Sequence, residues 1–169
     1  QDTRPGAARP GAAGDDASVD VRRLRIPTVT FFNASIPERR FLGDGGDLER
    51  LLRICDRVTL YCDSEDTALL SSEFMSRRGR SIGRRSMPIA LRDRADTRRV
   101  DVVDCTSMDA NVAYIRHSYF DLNVHVVGDF QELITTGRSA SQRGRLVHAA
   151  AERTGNVFSF LAPPVFISW

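Results

Sequence analysis

The chain has 169 residues, 41% of them apolar, and a formal net charge of +2. That length suits one domain with a core of its own, and the apolar share argues against global disorder. Near-neutrality argues against a dedicated nucleic-acid binder, and no run approaches the ~20 apolar residues needed to cross a bilayer.

All 24 basic side chains are Arg, with no Lys at all. Coding bias in a GC-rich genome is the simplest source, although Arg also forms planar, two-pronged contacts that Lys cannot make. The three cysteines, Cys55, Cys62 and Cys105, form no Cys-x-x-Cys and cannot all pair. Cys62 and Cys105 fall inside strand-like runs, where Cys behaves as a small buried hydrophobe, so a reduced interior is expected. No cofactor or metal is expected. The chain starts with Gln1 rather than Met, which fits trimming, processing after import or secretion, or excision from something longer. No targeting segment remains to be read, so the compartment stays open, the mitochondrion included.

Residues 1–20 are rich in Gly, Ala, Pro, Arg and Asp without apolar period, and read as a flexible arm or linker. Thr28–Asn33 is a β-branched and aromatic run bounded by Pro27 and Pro37, the mark of a buried strand. Asp47 opens a helix with Leu48, Leu51, Leu52 and Cys55 on one face. Val58–Cys62 reads as a second strand, Thr67–Arg77 as a helix facing inward through Leu70, Phe74 and Met75, and Val100–Cys105 as a third strand. A longer helix over 120–136 would pack through Val124, Val127, Phe130, Leu133 and Ile134, with Gly137 as its C-terminal cap. Residues 141–153 suggest one more helix.

Alternating strands and helices at this spacing imply an α/β fold with a parallel sheet. Three strands are too few to close both faces, so another chain is expected to supply the rest. The segment 77–99 carries nine Arg against Asp93 and Asp96. It is either a long solvated loop or an anionic docking surface for phosphate, acidic lipid or an acidic partner. The apolar, Pro-interrupted stretch 156–169 reads as an extended tail laid into a groove.

Asp66 lies just past the second strand, and His117 lies between the third strand and the long helix. An acid after one strand and a His after the next match the last two members of a Ser…Asp…His triad in α/β-hydrolase order. Asp66 would hold the imidazole of His117 in the right tautomer, and His117 would act as general base. Helix capping by Asp63, Ser64 or Asp66 is the plainer alternative. His125 and His148 fall in predicted helices, as partly exposed or satisfied residues. No Gly-x-Ser-x-Gly follows a strand-like run in the chain, where a nucleophile elbow would sit.

Tyr61-Cys-Asp-Ser-Glu-Asp-Thr-Ala-Leu69 resembles the aromatic, small, Ser-x-x-Asp-x-Ala-Leu segment of a large family of uncharacterised, esterase- or lipase-like α/β-hydrolases. Ser72, Ile82-Gly83, Val103-Asp104-Cys105 and His117-Ser-Tyr-Phe120 continue in that family's order, and Asp129-Phe-Gln-Glu-Leu133 and Arg143 are similar to its final helix and trailing Arg. The resemblance covers roughly 28–145. It departs at Arg116, where the family usually has Gly, and at Asn33-Ala-Ser35, in place of an Ala-Pro-Asp-like end. The fold it implies is the C-terminal half of an α/β-hydrolase sheet with flanking helices, spanning 21–155 between the arm and the tail.

The resemblance would place the serine elbow and the oxyanion strand before residue 1. On that basis the expected function is a non-catalytic, structural subunit or fragment in a larger assembly, with another protein chain as partner. The alternative is the C-terminal chain of a split or cleaved serine hydrolase, which supplies Asp66 and His117 to a serine on another chain.

Overall fold

The computed structural model describes residues 25–84, 97–108, 117, 123–149 and 156–161. The arm over 1–20, Arg116, most of the Arg-rich loop, the ends of two predicted helices and the last eight residues of the tail lie outside them. The order is β1 (Ile26–Phe32), α1 (Glu38–Leu42), α2 (Asp47–Ile54), β2 (Cys55–Cys62), α3 (Thr67–Ser76), β3 (Val100–Asp104), α4 (Val124–Thr136), β4 (Leu146–His148) and β5 (Val157–Phe160). Five strands form one sheet in the order β1-β2-β3-β5-β4. β1, β2, β3 and β5 run parallel, and β4 is antiparallel on the far edge. The fold is α/β, with a mostly parallel sheet flanked by helices.

The three strands expected from sequence are neighbours and parallel, but they are not the whole sheet. Val157–Phe160 is extended as anticipated, yet it lies inside the sheet beside β3 rather than in a groove. Leu146–His148, expected to be helical, is a strand instead. The cause lies just before it. Ala140 N–H is fixed to Asp101 and the chain makes only a single 3-10 turn over Ala140–Gln142 before buried Arg143 turns extended, so no longer helix follows.

The sheet's alternation divides the core in two. Val58, Leu60, Cys62, Val100 and Val102 face α1 and α2, where Phe41, Leu48 and Leu52 close the layer. Tyr61, Val103 and Phe158 face the other way with Val126 of α4, Ala140 and Leu146. Arg99 ties the first layer shut, donating to the carbonyl of Leu52 at 2.7 Å at the C-terminal end of α2. All three cysteines are buried and unpaired, and burial pushes the Cys55 thiol upward from its ordinary value.

Two helices face the sheet through other residues than their apolar spacing suggests. On α3 the buried side chain is Leu69, while Leu70, Phe74 and Met75 are exposed. Glu73, one turn on from Leu69, turns inward because it binds Arg84 at 2.6 Å and the backbone N–H of Ser81. On α4 the inner face is Val126, Asp129 and Leu133, with Phe130 edge-on to Phe32, whereas Val124, Val127 and Ile134 point outward. Gly137 caps α4 in the left-handed conformation, as the sequence implies.

Asp129 sits at the centre of a buried polar cluster. Its Oδ2 accepts from the Tyr61 hydroxyl at 2.6 Å and from Arg143 Nη1 at 2.7 Å, and Arg143 Nη1 also reaches the Tyr61 oxygen at 3.0 Å. Burial pushes Asp129 upward while Arg143 pulls it back. Removing one partner of such a pair strands the other charge. Arg143→Ala is therefore expected to lose about 3–5 kcal/mol of stability in urea unfolding, while Arg143→Leu with Asp129→Leu loses less.

Burial and the neighbouring Asp129 carboxylate push the Tyr61 hydroxyl far above its ordinary value. The unfolded chain ionises this group near pH ~10, so its contribution to stability is whole below that pH and is lost as pH rises beyond it. Urea melts between about pH 9 and about pH 11 should show this fall, and Tyr61→Phe should flatten it.

Candidate functional site

Because β1, β2 and β3 are parallel, their C-terminal ends meet along one edge of the sheet. Asn33 follows β1, Asp63 to Asp66 follow β2, and Cys105 to Met108 follow β3. Backbone bonds pin these ends together, from Asn33 N–H to the Tyr61 carbonyl at 3.1 Å and from Cys105 N–H to the Cys62 carbonyl at 2.8 Å. Ser64 N–H donates to Thr106 Oγ1 at 3.0 Å and joins the second and third loops.

Asp66 is the centre of this edge, and its side chain is fully buried. Oδ1 accepts from Leu69 N–H at 2.8 Å and so caps α3. Oδ2 lies 2.8 Å from His117 Nδ1 and accepts from Asn33 Nδ2 at 2.8 Å. The two roles weighed from sequence, cap and partner of His117, are divided between the two oxygens of one carboxylate. Asp63 makes its own local turn, with Oδ1 accepting from Glu65 N–H at 2.9 Å.

The His117 side chain is 41% exposed, so the acid lies inside and the base at the surface. With Asp66 ionised, Nδ1 is the donor, and Nε2 is then the ring nitrogen that can accept a proton. The described residues offer no hydrogen bond to Nε2. The arrangement leaves one ring nitrogen held by a buried carboxylate and the other turned away from it. His125 and His148 take no part: both are exposed, and the ring of His148 rests on Phe158.

Asn33 is the member that strand and helix patterns did not single out. It is buried and holds φ at 40°, a left-handed conformation that Asn tolerates better than most residues. An Asn at the end of a β-branched run was the available signal. Its amide adds a donor to the oxygen that faces His117, which fixes the carboxylate plane.

A strap over 80–84 holds Asn33 in place. Gly83 N–H donates to the Ala34 carbonyl at 3.1 Å, and its own carbonyl accepts from Asp63 N–H at 2.9 Å. A Cβ on Gly83 would collide with the backbone of Asn33 and Ala34. Among the described residues no group of three or more His, Cys, Asp or Glu could hold a metal ion, and no helix is long and apolar enough to cross a membrane. Comparison with protein-family models, with curated proteins and with solved structures finds no match.

Gly83→Ala must move backbone rather than a flexible side chain. It is expected to cost about 1–3 kcal/mol in denaturant unfolding, with the amide signals of Asn33 and Asp63 shifting by NMR. Unchanged signals there would show that the strap does not position the site.

Proposed function

We propose that this chain carries the orienting acid, Asp66, and the general base, His117, of a serine hydrolase of the α/β-hydrolase kind, acting on an ester or related acyl bond. The observation that carries the reading is the 2.8 Å contact between a buried carboxylate and a half-exposed imidazole at the C-terminal edge of parallel strands. The parallel order of β1, β2 and β3 supports the C-terminal half of a hydrolase sheet. Gly79-Arg80-Ser81-Ile82-Gly83 has the Gly-x-Ser-x-Gly spacing, but it follows the helix α3 rather than a strand and Ser81 is buried, so this reading takes its serine from a polypeptide segment outside the sequence.

The steps follow from the tautomer. Nε2 of His117 takes the proton of the serine hydroxyl as its oxygen attacks the acyl carbon. Asp66 stabilises the imidazolium without itself taking the proton. The imidazolium then protonates the leaving oxygen as the acyl bond breaks, and the same base activates water to release the acid. By itself the chain should be nearly inert.

The test has two parts. Labelled with ¹⁵N, the chain should show His117 as the Nδ1–H tautomer with a low-field ring proton. Asp66→Asn, whose side chain can still cap α3, should lose that proton. In an assembly that includes the serine, ester turnover should fall about 10⁴-fold for Asp66→Asn. A wild-type Nε2–H tautomer, or turnover indifferent to both Asp66→Asn and His117→Ala, would leave the chain as a non-catalytic, structural subunit.

A further inference from the structure

A groove of about 630 Å³ lies away from the dyad, between α1 and the segment that follows α3. Arg39, Arg77, Arg78 and Arg80 line it, with Glu38 as the one acid. Four positive charges and one negative leave a formal +3 around one concavity. None of the four guanidiniums has an ion-pair or side-chain hydrogen-bond partner among the described residues. Elsewhere on the same stretch arginines are used up internally: Arg84 binds Glu73 and the Ser64 carbonyl, and Arg99 binds the end of α2. Like charges gathered without internal neutralisation repel one another until an anion is shared between them.

The last turns of α3, which lead into this groove, carry a second anomaly. Phe74 is 86% exposed, Met75 82% and Leu70 50%. Large apolar side chains this bare, next to a cationic hollow, need a partner that offers both phosphate and hydrocarbon.

We propose that α3 and the Arg39/Arg77–Arg80 groove form a docking surface for a membrane leaflet rich in anionic phospholipid. The guanidiniums engage headgroup phosphates two-pronged, and Phe74 and Met75 enter the boundary between headgroups and acyl chains. Charge complementarity decides for lipid over a protein partner. The core of a protein interface is depleted of charge, whereas this apolar wedge is small and bordered by unneutralised cations. Association of this kind is peripheral and reversible.

The experiment is flotation of the whole chain with vesicles of phosphatidylcholine alone or with about 30% phosphatidylserine. Binding is expected only to the anionic vesicles, and it should weaken strongly in about 0.5 M salt. Each guanidinium near the surface contributes roughly fivefold in partitioning, so Arg77→Asn with Arg78→Ser and Arg80→Ser should lose about a hundredfold. Asn at 77 accommodates the left-handed backbone there (φ 51°), and all these positions are exposed, so folding is preserved. Phe74→Ser with Met75→Ser should weaken binding at least tenfold without altering its salt dependence. The proposal is overturned if the anionic vesicles float without the chain. It is also overturned if both sets of variants bind like wild type, if inorganic phosphate perturbs the groove's NMR signals while vesicles do not, or if Phe74 is buried in a self-association seen by size measurement.

Discussion

A carboxylate removed from water needs donors in place of the water it loses, and Asp66 finds them for both oxygens by joining three parts of the chain. Oδ1 takes the free N–H of Leu69 at the start of α3, and Oδ2 takes Asn33 from the end of β1 and His117 from beyond β3. An unpaired buried carboxylate would cost several kcal/mol or titrate away, so its partners are held as firmly as the charge itself. Helix position, strand-end geometry and imidazole orientation are thus consequences of one desolvated group. The strap through Gly83 serves the same constraint, since it brings the Asn33 backbone close enough for the amide to reach.

The opposite layer has its own buried charge, and the two polar centres lie on either side of Tyr61. The Tyr61 carbonyl pairs with Asn33 N–H at the site edge, while its hydroxyl binds Asp129 beneath α4. Its ring stacks on Phe32 at 4.7 Å, next in chain to Asn33. β2 is therefore the element through which α4, β1 and the dyad share a frame.

Much of this was legible. The β-branched runs announced three strands, their alternation with helices announced parallel pairing, and chain order put Asp66 and His117 together. The faces of α3 and α4 were not legible, for a common reason. Glu73 and Asp129 are acids on buried faces, each paired with an Arg far off in sequence, Arg84 and Arg143. An apolar-spacing argument assigns acids to solvent, so it rotated both helices and placed Phe74, Met75 and Ile134 inside. β4 and β5 escaped because three- and four-residue strands carry too little period to be distinguished from a helix end or a tail. Asn33 escaped because its role depends on Asp66, thirty-three positions on.

Parallel pairing turns those distant positions into neighbours. Each crossover returns the chain to the same end of the sheet, so the residue after every strand arrives on one edge whatever the intervening length. β4, the antiparallel strand, sends its C-terminal end the other way and contributes nothing to the described site. The site's composition follows from this selection: Asn33, Asp63, Asp66 and Thr106 are all residues that favour turns and caps, where strands stop and backbone N–H groups need acceptors. Polar side chains collect there for structural reasons first. Once a buried acid among them is shared between a helix cap and a half-exposed imidazole, the same arrangement that ends the strands also fixes where that imidazole sits.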